Sequence, residues 1–193
     1  MNMEDQISAI CRTTNIQLRK IGKIRRYLNN KSAESIIHAL VTSRLDNNNA
    51  LLVGAPDFQL QRLQKLQNTA ARIVSLTKKY DHITPILQQL HWLPIANRIK
   101  FKIMLLTYKA LNQLAPQYIT DLLQPYTPLR SLRSTNLNLL AVPKSNLTSY
   151  GDRSFAKIAP VYWNSLPDGI RNARTLGEFK SLLKTHLFND AYL

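Results

Sequence analysis

Two groups of cations are the side chains whose type and spacing could do chemistry: Arg12, Arg19, Lys20, Lys23 and Arg26, then Lys78 and Lys79. That chemistry is the neutralisation of phosphate. On a helical wheel at ~100° per residue the first five share one side, and no acid interrupts them. Such a face can follow a polyanion backbone and release its condensed counterions. The plain alternative is a solvated helix surface. Lys78 and Lys79 precede Tyr80, which sets a stacking ring beside a backbone contact. Lys100, Lys102 and Arg130 are weaker candidates of the same kind.

Catalytic and metal chemistry find no comparable footing. Two-metal nucleotidyl transfer needs clustered carboxylates, yet the eight aspartates are dispersed and no two are adjacent. Four histidines and one cysteine show no C-x₂-C or H-x₃-H spacing, so no zinc set is expected. A Walker loop and a G-x-S-x-G turn are also missing from the sequence. The expectation is a non-enzymatic chain with no catalytic residue, no metal and no cofactor.

Composition agrees with a folded, polyanion-seeking protein. The chain has 193 residues, 45% hydrophobic and 19% charged, enough to bury a core as one domain or two small ones. Twenty-six Lys and Arg against eleven Asp and Glu give a net charge of +15, a statement about association rather than fold. No apolar run approaches the ~18 residues of a bilayer span, so no membrane partner is expected. The first residues, MNMEDQISAICRTTN, lack the order of a secretory signal. A single cysteine, Cys11, excludes an intrachain disulfide and fits a reducing compartment. Its place in an apolar helical register reads as a small buried hydrophobe.

The elements that must carry these residues read as helices. Ile7, Ile10, Leu18, Ile21, Ile24 and Leu28 space a helix over about 5–28, with the five cations opposite. Ser32 is a candidate cap for a second helix, in which His38 sits among Ile36, Ile37, Leu40, Val41 and Leu45 as a packed histidine. A third helix spans Phe58–Val74, its stripe formed by Leu60, Leu63, Ala70, Ile73 and Val74, with Leu66 and Gln67 on the border. Pro85 and Pro94 stand at helix starts, the second opening the longest helix, Pro94–Leu114. Trp92, between helices, reads as a core anchor. Leu137–Val142 and Leu147–Tyr150 are candidate short strands. Ser154–Trp163 is a helix that Pro160 would kink, and Thr175 with Glu178 forms a capping box for the last one. The fold class is therefore mainly α, a multi-helix bundle with a small β element near residues 135–150. No internal repeat or low-complexity tract interrupts it.

Beyond physical pattern, the segment Leu60–Arg98, from LQRLQKLQNTAARIVS to LHWLPIANR, resembles the region downstream of the polymerase in reverse transcriptases of non-LTR retrotransposons, in the jockey-like and chicken-repeat-like clades. Leu18–Leu28 (LRKIGKIRRYL) and His38–Leu52 (HALVTSRLDNNNALL) fit the same proteins. Further on, so do Leu105–Pro128, Arg130–Ser134 (RSLRS), Tyr150–Pro167 (YGDRSFAKIAPVYWNSLP) and Phe179–Phe188 (FKSLLKTHLF), in the family's order. The resemblance implies a helical thumb over residues 1–75, which in polymerases grips primer–template duplex through phosphates. A helical connector over 76–124 and a C-terminal α+β segment over 125–193 would follow. It further implies RNA, DNA or RNA–DNA hybrid as partners, the polymerase palm of a longer polyprotein as another, and an intracellular, nuclear location. The family's catalytic parts precede this region. One departure stands out: related tails commonly read SRLDYCN where this chain has SRLDNNN. If Asn47 and Asn48 are buried, their amides destabilise the copy by ~1–3 kcal/mol; if exposed, nothing is lost.

Three readings follow. The first is a non-catalytic, nucleic-acid-binding fragment of a retrotransposon RNA-directed DNA polymerase. The second is an inactive retroelement relic, favoured by the truncated start and by Asn47-Asn48. The third is a helical protein-interaction module whose apolar stripes seek a partner.

Overall fold

A computed structural model describes residues 3–127, 138–145 and 151–193. Among them the chain is mainly helical and divides into two compact units, Met1–Ile99 with Phe188–Leu193, and Lys100–Leu187. The dividing points fall inside the continuous helices α6 (Ile95–Leu111) and α10 (Leu176–Tyr192).

The first unit is built around α1 (Glu4–Ile24) and α4 (Asp57–Ser75), which pack on each other. Glu4 and Asp5 lie in the first turn of α1, where the helix dipole favours anions. Its buried side is Ile7, Thr14, Leu18 and Ile21. A single 3₁₀ turn, Arg25–Tyr27, ends it, and Leu28 is extended. Asn29, not Ser32, then caps α2 (Asn30–Ile37): its Oδ1 accepts the Ser32 N–H at 2.7 Å. With Leu28 already extended, Asn29 holds the β-region conformation a cap needs, and Ser32 falls within the first turn.

From α2 the helix passes through a π turn, His38–Thr42, into α3 (Ser43–Asp46). Ile37 and Val41, four apart, take the fully buried positions, which leaves His38 at the rim. Its side chain is 45% exposed, faces Glu34 at 3.4 Å and leans on the Trp92 ring at 5.3 Å. The packed reading of His38 is corrected accordingly. Asn47 and Asn48 are both exposed, so their amides meet water and no desolvation cost arises. Asn48 also adopts a left-handed φ of 54°, which Asn tolerates better than most residues.

On α4 the core side is broader than the sequence stripe: Leu63, Leu66, Gln67, Ala70, Ala71 and Val74 are all buried. Gln67 Nε2 donates to Leu93 O at 2.8 Å, and Gln64 Oε1 accepts the Ile95 N–H at 2.9 Å. Two glutamines thus stitch α4 to the proline-bearing turn before α6, each satisfying a main-chain group there. Trp92 is buried, as its position between α5 (Thr84–Gln89) and α6 implied. Its carbonyl accepts the Tyr192 hydroxyl at 2.6 Å, fixing the end of α10. Arg98 forms a two-pronged ion pair with Asp46, its Nε 2.8 Å from Oδ1 and its Nη2 on Oδ2.

In the second unit, aromatic side chains form the centre. Tyr108 stacks on Phe179 with ring centroids 4.2 Å apart, and Trp163 tilts against Phe179 at 5.9 Å. Both polar tips are satisfied, Tyr108 Oη on Ala173 O at 3.0 Å and Trp163 Nε1 on Asn138 O at 2.8 Å. Short helices α7 (Gln117–Thr120) and α9 (Asp168–Arg171) join α8 (Phe155–Asn164), which carries the buried Pro160. The capping box of α10 forms with a shift of one residue on its return arm: Thr175 Oγ1 accepts the Glu178 N–H, and the Glu178 carboxylate accepts from Arg174 N.

Of the β element expected near 135–150, the described residues hold one isolated antiparallel bridge, Pro125 with Leu140. Tyr126 N donates to Leu139 O at 2.9 Å, and Ala141 N to Gln124 O at 2.8 Å. On the other side of Leu140 the partner is a side chain: Asn164 accepts the Leu140 N–H at 2.9 Å and donates to Leu140 O at 2.8 Å. One amide replaces a neighbouring strand. The rest of that stretch, including all of Leu147–Tyr150, lies outside the described residues.

Candidate nucleic-acid interface

All five cations of α1 and its terminal turn, Arg12, Arg19, Lys20, Lys23 and Arg26, are exposed. The helical repeat places them opposite the buried Ile7, Leu18 and Ile21. From Arg12 to Lys23 they cover ~16 Å of helix axis, a length matching about five nucleotide steps of one strand of a duplex. Among the described residues none of the five enters an ion pair, so their charge is open to an outside anion. Lys23, in the last turn, also opposes the helix dipole, so part of the charge serves α1 itself.

Arg25 lies between these residues in sequence and does something different. It is 5% exposed. Its guanidinium donates to Ile73 O and Val74 O at 2.7 Å each, to Leu28 O at 2.6 Å and to Asn30 Oδ1 at 2.5 Å. Ile73 and Val74 close the last turn of α4, where carbonyls lack helical partners and the dipole is negative. One buried arginine therefore caps α4, fastens the end of α1 to it and positions the start of α2. Sequence reasoning passed over Arg25, although the wheel places it in line with Leu18 and Ile21.

The same turn of α4 holds the second basic group. Leu76 ends α4 in a left-handed conformation, φ 56°, and Thr77 N donates back to Arg72 O at 3.2 Å. Lys78, Lys79 and Tyr80 follow, all exposed. Asp81 folds this loop back: its Oδ2 accepts the Lys78 N–H at 3.0 Å, and its carbonyl accepts from Arg72 Nη2 at 3.1 Å. Between loop and helix runs a groove of about 540 Å³ whose polar lining is Lys65, Asn68, Thr69, Arg72, Thr77 and Lys79. Three cations beside hydroxyl and amide groups suit a phosphate oxygen, since such donors hold the anion from several directions. The Arg72 Nε is buried and without a partner.

Two exposed tyrosines complete the surface. The Arg26 guanidinium carbon lies 4.7 Å from the centroid of the Tyr27 ring, and Lys79 Nζ 5.9 Å from that of Tyr80. Tyr27 escaped the sequence reading, which considered only the cations on that side, although the wheel places its ring between Lys20 and Lys23 on the outward face. Lys65 and Arg72, which lie off the apolar stripe of α4, become groove walls where Asp81 turns the loop back. Of the weaker candidates, Lys102 is exposed and Lys100 half-buried at the start of the second unit, while Arg130 lies outside the described residues.

Cys11, on α1, is half-buried; burial pushes its thiol up, against the opposing pull of the Arg62 charge. A raised thiol is a poor nucleophile near neutral pH. Among the described residues no group of His, Cys, Asp and Glu is arranged to hold a metal ion. Among them, too, no helix is long and apolar enough to cross a membrane. No family model matches the chain, nor does any curated protein or solved structure.

Proposed function

We propose that this chain is the thumb and post-thumb region of a non-LTR retrotransposon reverse transcriptase, gripping RNA or RNA–DNA duplex by its phosphates. The reading assigns it no catalytic step; the polymerase palm of a longer polyprotein would supply the chemistry, in a nuclear setting. The observation that carries it is the acid-free, outward-facing row Arg12, Arg19, Lys20, Lys23 and Arg26, joined through Arg25 to Lys78 and Lys79. Phosphate contacts of this kind position a nucleic acid without reading its sequence. Charge reversal at Arg19, Lys20 and Lys23 should weaken binding of labelled RNA, DNA and hybrid alike, by at least ~10-fold each. A folded triple variant that binds like the parent protein refutes the reading and leaves a relic, whose basic face is mere solvation.

A second reading, the helical protein-interaction module, has one observation in its favour. Leu114, Tyr118, Leu122 and Tyr126 recur every four residues in the second unit and are 56%, 70%, 47% and 43% exposed. It predicts concentration-dependent self-association in sedimentation velocity. A monomer at all concentrations removes it.

A further inference from the structure

Tyr27 and Tyr80 have no structural use for their rings. They are 73% and 91% exposed, so neither contributes much to a core. Each carries a cation over one face, Arg26 at 4.7 Å and Lys79 at 5.9 Å. Both are tied to one short stretch of α4. Tyr27 lies two residues after Arg25, which is bonded to Ile73 O and Val74 O, and Tyr80 immediately precedes Asp81, whose carbonyl is bonded by Arg72. Two stacking platforms, each with its own cation, are thus pinned to the consecutive residues Arg72, Ile73 and Val74.

From this placement we infer that the Arg25-tied end of the first unit holds a single-stranded stretch of nucleic acid, its bases on Tyr27 and Tyr80 and its phosphates on Arg26, Lys79 and the Arg72 groove. The inference rests on the nucleic-acid reading above and narrows it. A duplex offers this surface only phosphates, because its bases already stack on one another. A single strand offers π-faces as well, and every base has one, so the preference is independent of sequence. The charge of the patch selects a polyanion over an apolar peptide, which would have to displace water from Arg26, Lys79 and Arg72 without neutralising them.

The test uses the full chain with three fluorescein-labelled probes of about twelve nucleotides: oligouridine, an abasic strand with the same phosphates, and a duplex. Wild type should bind oligouridine more tightly than the abasic strand. Tyr27→Ala and Tyr80→Ala, both at exposed positions, should each lower oligouridine affinity by roughly 10-fold while leaving its salt slope and abasic-strand binding unchanged. Equal affinity of wild type for oligouridine and abasic strand, or tyrosine variants that bind oligouridine like wild type, overturns the stacking inference alone. Failure of wild type to bind any of the three probes overturns it together with the nucleic-acid reading.

Discussion

Replacing Arg25 should loosen the first unit more than any other single change on its basic side. The guanidinium donates four hydrogen bonds of 2.5–2.7 Å, three of them to main-chain carbonyls. In Arg25→Ala, each stranded part-buried acceptor costs about 1 kcal/mol. The negative end of α4 loses its charge partner, worth about 0.3–1 kcal/mol. Burial of the side-chain methylenes adds about 1–2 kcal/mol. Water can reach some of these carbonyls once the side chain is gone, which lowers the sum to about 3 kcal/mol. For a chain of this size that corresponds to a Tm lower by about 6–12 °C. Arg25→Lys keeps the charge but has neither the reach nor the fork to satisfy four acceptors, and should lose about half as much. Urea unfolding followed by far-UV circular dichroism measures both. If Arg25→Ala unfolds within about 0.5 kcal/mol of the parent protein, Arg25 is not the tie described, and the pinning of the Tyr27 turn to α4 falls with it.

Other consequences can be checked separately. Burial pushes the Tyr192 hydroxyl up to about 12, whereas in the unfolded chain it ionises near ~10; the folded state therefore retains a proton that the unfolded state releases. Its contribution should be intact below about pH 10 and decline from there to about pH 12, and Tyr192→Phe should flatten that decline in urea melts across the range. The same variant should cost about 1 kcal/mol at neutral pH through the lost bond to Trp92 O. Leu76→Gly should raise stability by about 0.5 kcal/mol, because relief of the left-handed strain at φ 56° exceeds the added freedom of the unfolded chain; a loss on the same melts would mean that the exposed Leu76 side chain packs usefully. Cys11, with its thiol pushed up by burial, should react with iodoacetamide more slowly in the folded protein than after denaturation at about pH 8, and equal rates would contradict its placement.

How far the sequence speaks for the structure depends on the range of the interaction. Helices were legible because apolar spacing, proline at helix starts and the Thr175–Glu178 box are local signals. The five cations of α1 and its terminal turn were legible for the same reason: a wheel needs only the repeat. Tertiary ties were not. Gln67 looks like a border residue until Leu93 O presents itself as an acceptor, and Arg25 falls in line with apolar residues for no evident reason until the end of α4 arrives beside it. His38 was placed in the core by its neighbours, but Ile37 and Val41 fill that side. On one side of Leu140 the Asn164 amide stands where a neighbouring strand would, an arrangement that no local pattern announces. At the candidate interface, charge was legible and its organisation into a groove was not, since Arg72 and Lys79 meet only after Asp81 turns the loop back.

The central claim is that the basic face grips phosphate, and the slope of affinity against salt measures it most directly. Fluorescence anisotropy of the full chain with a labelled RNA–DNA hybrid at about 50 and 200 mM salt should show affinity falling ~10³-fold, as expected if about six phosphates are neutralised. Reversing Arg19, Lys20 and Lys23 should reduce the logarithmic slope by about 2–3. A shallow slope in the parent protein, or a steep one that the triple reversal leaves unchanged, would contradict the account.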